Sequence, residues 1–98
     1  MIQSALARPY AGYYPRIEQK AAALVESMVK NHGFADGNKR TTIILTYTLL
    51  KRSGFWLRSA EKKDTVNEEL ETMIIATASG NMNYDAILDW FRKRISKY

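Results

Sequence analysis

Residues 31–41, NHGFADGNKRT, hold the single histidine of the sequence, two of its five glycines, one acid, two amides and two adjacent cations. Imidazole ordinarily titrates at about pH 6.5, so His32 is a candidate general base near working pH. The Asp36 carboxylate is a hard oxygen donor of the kind Mg2+ takes. A helix start preceded by glycine is an anion site, because its N–H groups and the helix dipole favour negative charge, and phosphate is the usual guest. Lys39 and Arg40 fall in the first turn of a helix, the wrong end for cations unless an anion offsets them. Base, metal ligand, anion nest and phosphate cations within one short stretch are the parts that phosphoryl transfer requires. Taken singly, each residue has a plainer reading: His32 as a polar cap, ADGN as a common turn, Lys39 and Arg40 as a solvated face. Phe34 reads as the apolar anchor that pins the loop to the core.

Other chemistries fit poorly. A Walker A loop needs G-x-x-x-x-G-K-[ST] after a strand. Here three residues separate Gly33 from Gly37, Asn38 intervenes before Lys39, and helical sequence precedes. One histidine and no cysteine are too few ligands for a zinc site, and no disulfide or cysteine nucleophile can form. No apolar run approaches the roughly 20 residues of a membrane span. The start, MIQSALARPY, lacks the basic and apolar regions of a signal peptide. The lack of cysteine fits a reducing cytoplasm.

The elements that must hold this stretch are helical. The 98 residues suffice for one domain, 1–98, with a single core. Residues 8–15, RPYAGYYP, contain both prolines and read as a loop or a short β-hairpin. A first helix is expected over about 16–31, because Ile17, Ala21, Leu24, Val25, Met28 and Val29 recur at helical period. Glu18, Gln19, Glu26 and Lys30 form its polar face.

A second helix is expected over about 38–53. Ile43, Ile44, Leu45, Tyr47, Leu49 and Leu50 lie on nearly every side, the pattern of a buried central helix. Gly54 follows as a C-terminal cap, and FWL, 55–57, reads as a short apolar connection. A third helix starts near Thr65, with Thr65 and Glu68 at capping-box spacing, turns Leu70, Met73, Ile74 and Thr77 inward, and ends at Gly80. A fourth follows Asn83 as N-cap and presents Ile87, Leu88, Trp90, Phe91 and Ile95 to the core. The fold class is therefore all-α, a helical bundle with helix two buried at its centre and the polar stretch forming the turn into that helix.

The motif HGFADGNKRT resembles the signature of the Fic/Doc family, H-x-F-x-[D/E/N]-[G/A]-N-[G/K]-R, and is nearly complete. The segments SALARPYAGYYP, KAAALVESMVKN and ATASGNMNYDAILDWF look like the death-on-curing (Doc) branch, so the resemblance spans essentially the whole sequence. It implies a helical bundle that transfers part of a nucleoside triphosphate to a hydroxyl of a target protein, with ATP as substrate and Mg2+ as cofactor. By matching position, His32 would deprotonate the target hydroxyl and Asp36 would hold Mg2+. Gly37 and Asn38 would form the anion nest, and Lys39 and Arg40 would lie against phosphate oxygens. Phe34 would be the buried anchor.

Two departures bear on the reaction. AMP-transferring members usually have glycine where this sequence has Lys39, and a second arginine where it has Ile43. Lysine fills space that the glycine leaves for phosphates. The NKR form resembles Doc-like kinases, which bind ATP the opposite way round and move its terminal phosphate, so that reaction is expected ahead of AMP transfer. Gly33 stands where proline is common and should loosen the loop by adding unfolded-state entropy.

The resemblance also implies partners. Tyr10, Ala11, Gly12 and Tyr13 match a flap that docks the target as an added strand. An elongation factor that delivers aminoacyl-tRNA is the implied target, and a separate antitoxin the implied restraint, with nucleic acid met only through that antitoxin. The self-inhibitory pattern [S/T]-x-x-x-E-[G/N] begins at Thr65 and Glu69 but fails at Leu70. A helical segment that the family carries ahead of SALARP is not seen here, which would expose part of the core and favour a homo-oligomer or another partner. The net charge of +5, densest in FRKRISK (91–97), suits an anionic partner or a solvated basic surface. A catalytically silent module that holds nucleic acid or protein on that basic helix is the competing reading.

Overall fold

The computed structural model describes residues 16–32, 36–60 and 65–97, with the backbone alone at 31, 32 and 36. Four helices and two short strands follow in the order α1 (Ile17–His32), α2 (Asp36–Arg52), β1 (Phe55–Leu57), α3 (Val66–Ala78), α4 (Tyr84–Arg92) and β2 (Ile95–Lys97). The helical reading holds. Helix α1 packs on α2, α3 and α4. Its Ala21, Ala22 and Val25 are fully buried, and small side chains there let neighbouring helices approach closely.

The expectation that helix two is buried on nearly every side is corrected at two residues. Ile44 and Leu45 are 58% and 38% exposed, and the buried stripe of α2 is Thr42, Thr46 and Leu50. Threonine can line a core when its hydroxyl is satisfied. Thr42 donates to the Asn38 carbonyl at 2.7 Å and Thr46 to the Thr42 carbonyl at 2.8 Å. The same back-bonding ties Thr41 to Gly37 and Thr48 to Ile44. A helix that reads as apolar all round thus buries its threonines and shows two of its aliphatics to solvent, because local hydrogen bonds remove the cost of burying a hydroxyl.

FWL is a strand. Phe55, Trp56 and Leu57 pair antiparallel with Lys97, Ser96 and Ile95. Helix α4 accordingly ends at Arg92, and Ile95 meets the core from β2 instead of from the helix. Three-residue strands carry too little period-2 pattern to be separated from a connection by sequence.

The helix ends follow elementary rules. Gly80 (φ 82°) closes α3 in a Schellman arrangement: its N–H donates to the Thr77 carbonyl, and that of Asn81 donates to the Ala76 carbonyl. Gly54 (φ 87°) follows α2 in a left-handed conformation, its N–H donating to the Lys51 carbonyl. Asn83 caps α4, its side chain accepting from the Ala86 N–H at 2.9 Å. The capping box expected of Thr65 and Glu68 does not form. Thr65 makes no side-chain cap bond, Glu68 is exposed, and the Thr65 hydroxyl donates to Glu69 at 2.7 Å.

Among the described residues the core gathers Leu70, Met73 and Ile74 of α3 and Ile87, Leu88 and Phe91 of α4 with Ala21, Ala22 and Val25 of α1. The Trp90 and Phe91 rings meet edge to face, with centroids 5.1 Å apart. No described helix is long and apolar enough to cross a membrane.

Candidate functional site

The motif straddles two helices. His32 is the last residue of α1 and Asp36 the first of α2, and the two helices pack on one another. Three residues join them, and Phe34 lies outside the described residues. The flap residues Tyr10, Ala11, Gly12 and Tyr13 also lie outside them. The backbone therefore places the candidate base and the candidate metal ligand at adjoining helix ends, with Gly37, Asn38, Lys39 and Arg40 in the first turn of α2. A helix N-terminus presents N–H groups that the helix itself does not satisfy.

Gly37 is exposed, and a methyl group built on it would meet nothing within 4 Å. Neither a left-handed backbone nor crowding by the described residues requires glycine there. What glycine leaves is an open approach to the start of the helix, the feature a phosphate cradle needs. Asn38 is half-buried beside it.

Lys39 and Arg40 are neighbours in sequence but face different ways. Lys39 heads the stripe Lys39, Thr42, Thr46, Leu50, of which the last three are buried. Its side chain is 22% exposed, and its Nζ lies 2.7 Å from Oε2 of Glu71 on α3. Arg40 heads the stripe Arg40, Ile44, Thr48, exposed throughout. The structure therefore brings Gly37 and Arg40 to the outward side of the first turn and turns Lys39 toward α3. Ile43, half-buried, packs against the core.

Helix α3 is the platform behind this turn. Besides Lys39 and Glu71, the Tyr47 hydroxyl donates to Oδ1 of Asn67, and burial pushes the Tyr47 phenol pKa up. The ties pair 39 with 71 and 47 with 67, so moving forward along α2 moves back along α3, and the two helices run in opposite senses across them.

The N-terminus of α3 is fixed by Glu69. Its carboxylate accepts from the Ser59 and Thr65 hydroxyls, from Nε of Arg94 at 2.8 Å, and from the Ala60 N–H at 3.5 Å. The Ser59 hydroxyl does most to hold the Glu69 carboxyl below its ordinary 4.5, at about 2; desolvation opposes it, while Arg94, Thr65 and Ala60 add to the lowering. Arg94 in turn donates to the Trp90 carbonyl at 3.1 Å and lies 4.2 Å over the Trp90 ring. Thr65 and Glu69, the pair that begins the self-inhibitory pattern, are thus bonded to each other within an architectural cluster.

Sequence reasoning missed Glu71 and chose Glu68 over Glu69. Both working carboxylates take partners distant along the chain, Lys39 and Arg94, and no local spacing reports such contacts.

The matched family model, described as the Fic/DOC family, covers residues 2–50, from the start of the chain through most of α2. A curated relative, Toxin Doc of Mycolicibacterium smegmatis (strain ATCC 700084 / mc(2)155), is 34% identical over 92 residues, spanning 89% of this chain and 68% of that protein. No solved structure matches the chain.

Proposed function

The chain belongs to the Fic/DOC family, and from that premise we propose that it is a Doc-like toxin that moves the terminal phosphate of ATP to a hydroxyl of a target protein. The observation that carries this reading is the first turn of α2: an open approach at Gly37, an outward Arg40 beside it, and the His32 end of α1 adjoining. These suit a polyanion bound at a helix start with a base beside it.

His32 accepts the proton of the target hydroxyl as that oxygen attacks the terminal phosphorus. The bond from that phosphorus to the bridging oxygen breaks, and ADP leaves. Arg40 and the N–H groups of the α2 start take up the charge on the transferring oxygens, with Asn38 donating beside them. Asp36 offers the hard oxygen that Mg2+ takes alongside substrate phosphates, and the bound ion would neutralise phosphate charge. Terminal-phosphate transfer is preferred to AMP transfer on two residues. Lys39 stands at the position where AMP-transferring members carry glycine, which gives the motif the NKR form of Doc-like kinases. Ile43, packed on the core, brings no second cation where they have arginine.

The target we propose is a translation elongation factor in the cytoplasm, docked as an added strand on residues 10–13, with a separate antitoxin as restraint. The test is incubation of the protein and its His32→Ala variant with Mg2+ and bacterial lysate, using ATP labelled on the γ- or the α-phosphate. A His32-dependent protein band with the γ label alone supports the kinase reading. A band with the α label alone replaces it by AMP transfer. Salt-dependent nucleic-acid binding without any labelled band replaces it by a silent binding module.

A further inference from the structure

We propose that Glu71 is a positioning residue of the nucleotide site, acting through Lys39: it draws the lysine ammonium onto α3 and so fixes the first turn of α2. The inference rests on the function proposed above. Four observations carry it. The Lys39 Nζ and the Glu71 carboxylate lie 2.7 Å apart. Lys39 stands on the same face of α2 as the buried Thr42, Thr46 and Leu50, and its side chain, 22% exposed, ends on α3 at Glu71. A cation in the first turn of a helix opposes the dipole, and Glu71 supplies the compensating negative charge from within the protein. Arg40, one residue on, heads the outward stripe instead. The two adjacent cations of the motif therefore divide the work: Arg40 faces the ligand and Lys39 holds the helix start against its platform.

The contact is suited to steering a turn without holding up the fold. Glu71 is 43% exposed, and partly exposed pairs of this kind contribute little to stability. The Tyr47–Asn67 bond ties α2 to α3 independently, so a chain that loses Glu71 keeps its helix packing.

The experiment is a double-mutant cycle on Mg·ATP binding by the whole chain, read by calorimetry for the native protein, Glu71→Gln, Lys39→Met and the double variant, with Asp36→Ala as the control for the site. If Glu71 acts through Lys39, each single variant weakens binding by about two- to fivefold, and the double variant is no weaker than either single one. Thermal midpoints stay within about two degrees of the native value. Unchanged or tighter binding by Glu71→Gln overturns the inference, as do losses that simply add. A fall in the thermal midpoint with unchanged affinity also overturns it, because that marks a purely structural pair. Native binding that Asp36→Ala abolishes leaves the nucleotide site of the parent reading standing in each of these cases. A native chain that binds no Mg·ATP overturns the parent reading and this inference together.

Discussion

Glu69 offers the sharpest test of how this small fold is held. Its carboxylate gathers the Ser59 and Thr65 hydroxyls and the Arg94 guanidinium, and both Glu69 and Arg94 side chains are 11% exposed. The carboxyl titrates at about 2 instead of 4.5. At about 1.4 kcal/mol per pH unit, that difference bounds the linked stability near 3 kcal/mol. Solvent still reaches the cluster, and screening brings the expected figure down to about 1–2 kcal/mol. The sign follows from the depressed value. The folded state binds the Glu69 proton more weakly than the unfolded chain does, so the stabilisation is complete above about pH 4.5 and is lost as pH falls toward 2. The perturbation is Glu69→Gln, which keeps the shape and removes the charge. Urea unfolding, followed through Trp90 beneath Arg94, should show the variant less stable by about 1–2 kcal/mol at pH 7, roughly 5–15 °C in thermal midpoint for a domain of this size. That gap should close between pH 4.5 and 2, where the native carboxylate is itself neutralised. Because the two proteins share every other carboxylate, the difference isolates Glu69. A gap that stays constant down to pH 2 would refute the argument, since the loss would then come from packing or geometry and not from the charge.

Further substitutions separate binding from folding. Gly37→Ala meets no atom within 4 Å, and alanine favours a helix over glycine, so the thermal midpoint should hold or rise by a few degrees. Because the family signature admits alanine at this position, calorimetry should show Mg·ATP affinity little changed, whereas Gly37→Val, whose branched side chain closes the approach to the helix start, should lower it about tenfold or more; unchanged affinity in Gly37→Val would move the nucleotide elsewhere. Asn83→Ala removes the acceptor of the Ala86 N–H and should lower stability by about 1 kcal/mol in urea unfolding. Thr65→Ala provides the contrast, since its loss should appear only while Glu69 is charged.

What was legible in the sequence was whatever depends on near neighbours. The α4 cap needs only Asn83 and the N–H three residues on, and the ends of α2 and α3 need only a glycine that tolerates positive φ. The extent of α1 followed from apolar period, and the motif's placement between two helices followed from its glycines. Where the reading failed, the deciding partner was far along the chain. The strand at 55–57 exists because 95–97 lies beside it, and Ile95 left α4 for the same reason. The aliphatics of α2 read as buried on nearly every side, but hydrogen bonds back to the preceding turn let Thr42 and Thr46 line the core while Ile44 and Leu45 face solvent. Lys39 and Arg40 illustrate the same limit within the candidate site. As letters they form one basic pair. On a helix they stand about 100° apart, and the packing of α3 against one of those directions decides which cation meets Glu71 and which faces outward. Sequence spacing can therefore bring the chemical parts of this site together, but the division of labour between its two cations is set by the neighbouring helix. A substitution at 71, outside the motif, should consequently weaken the site by about two- to fivefold, short of the loss that Asp36→Ala within the motif brings.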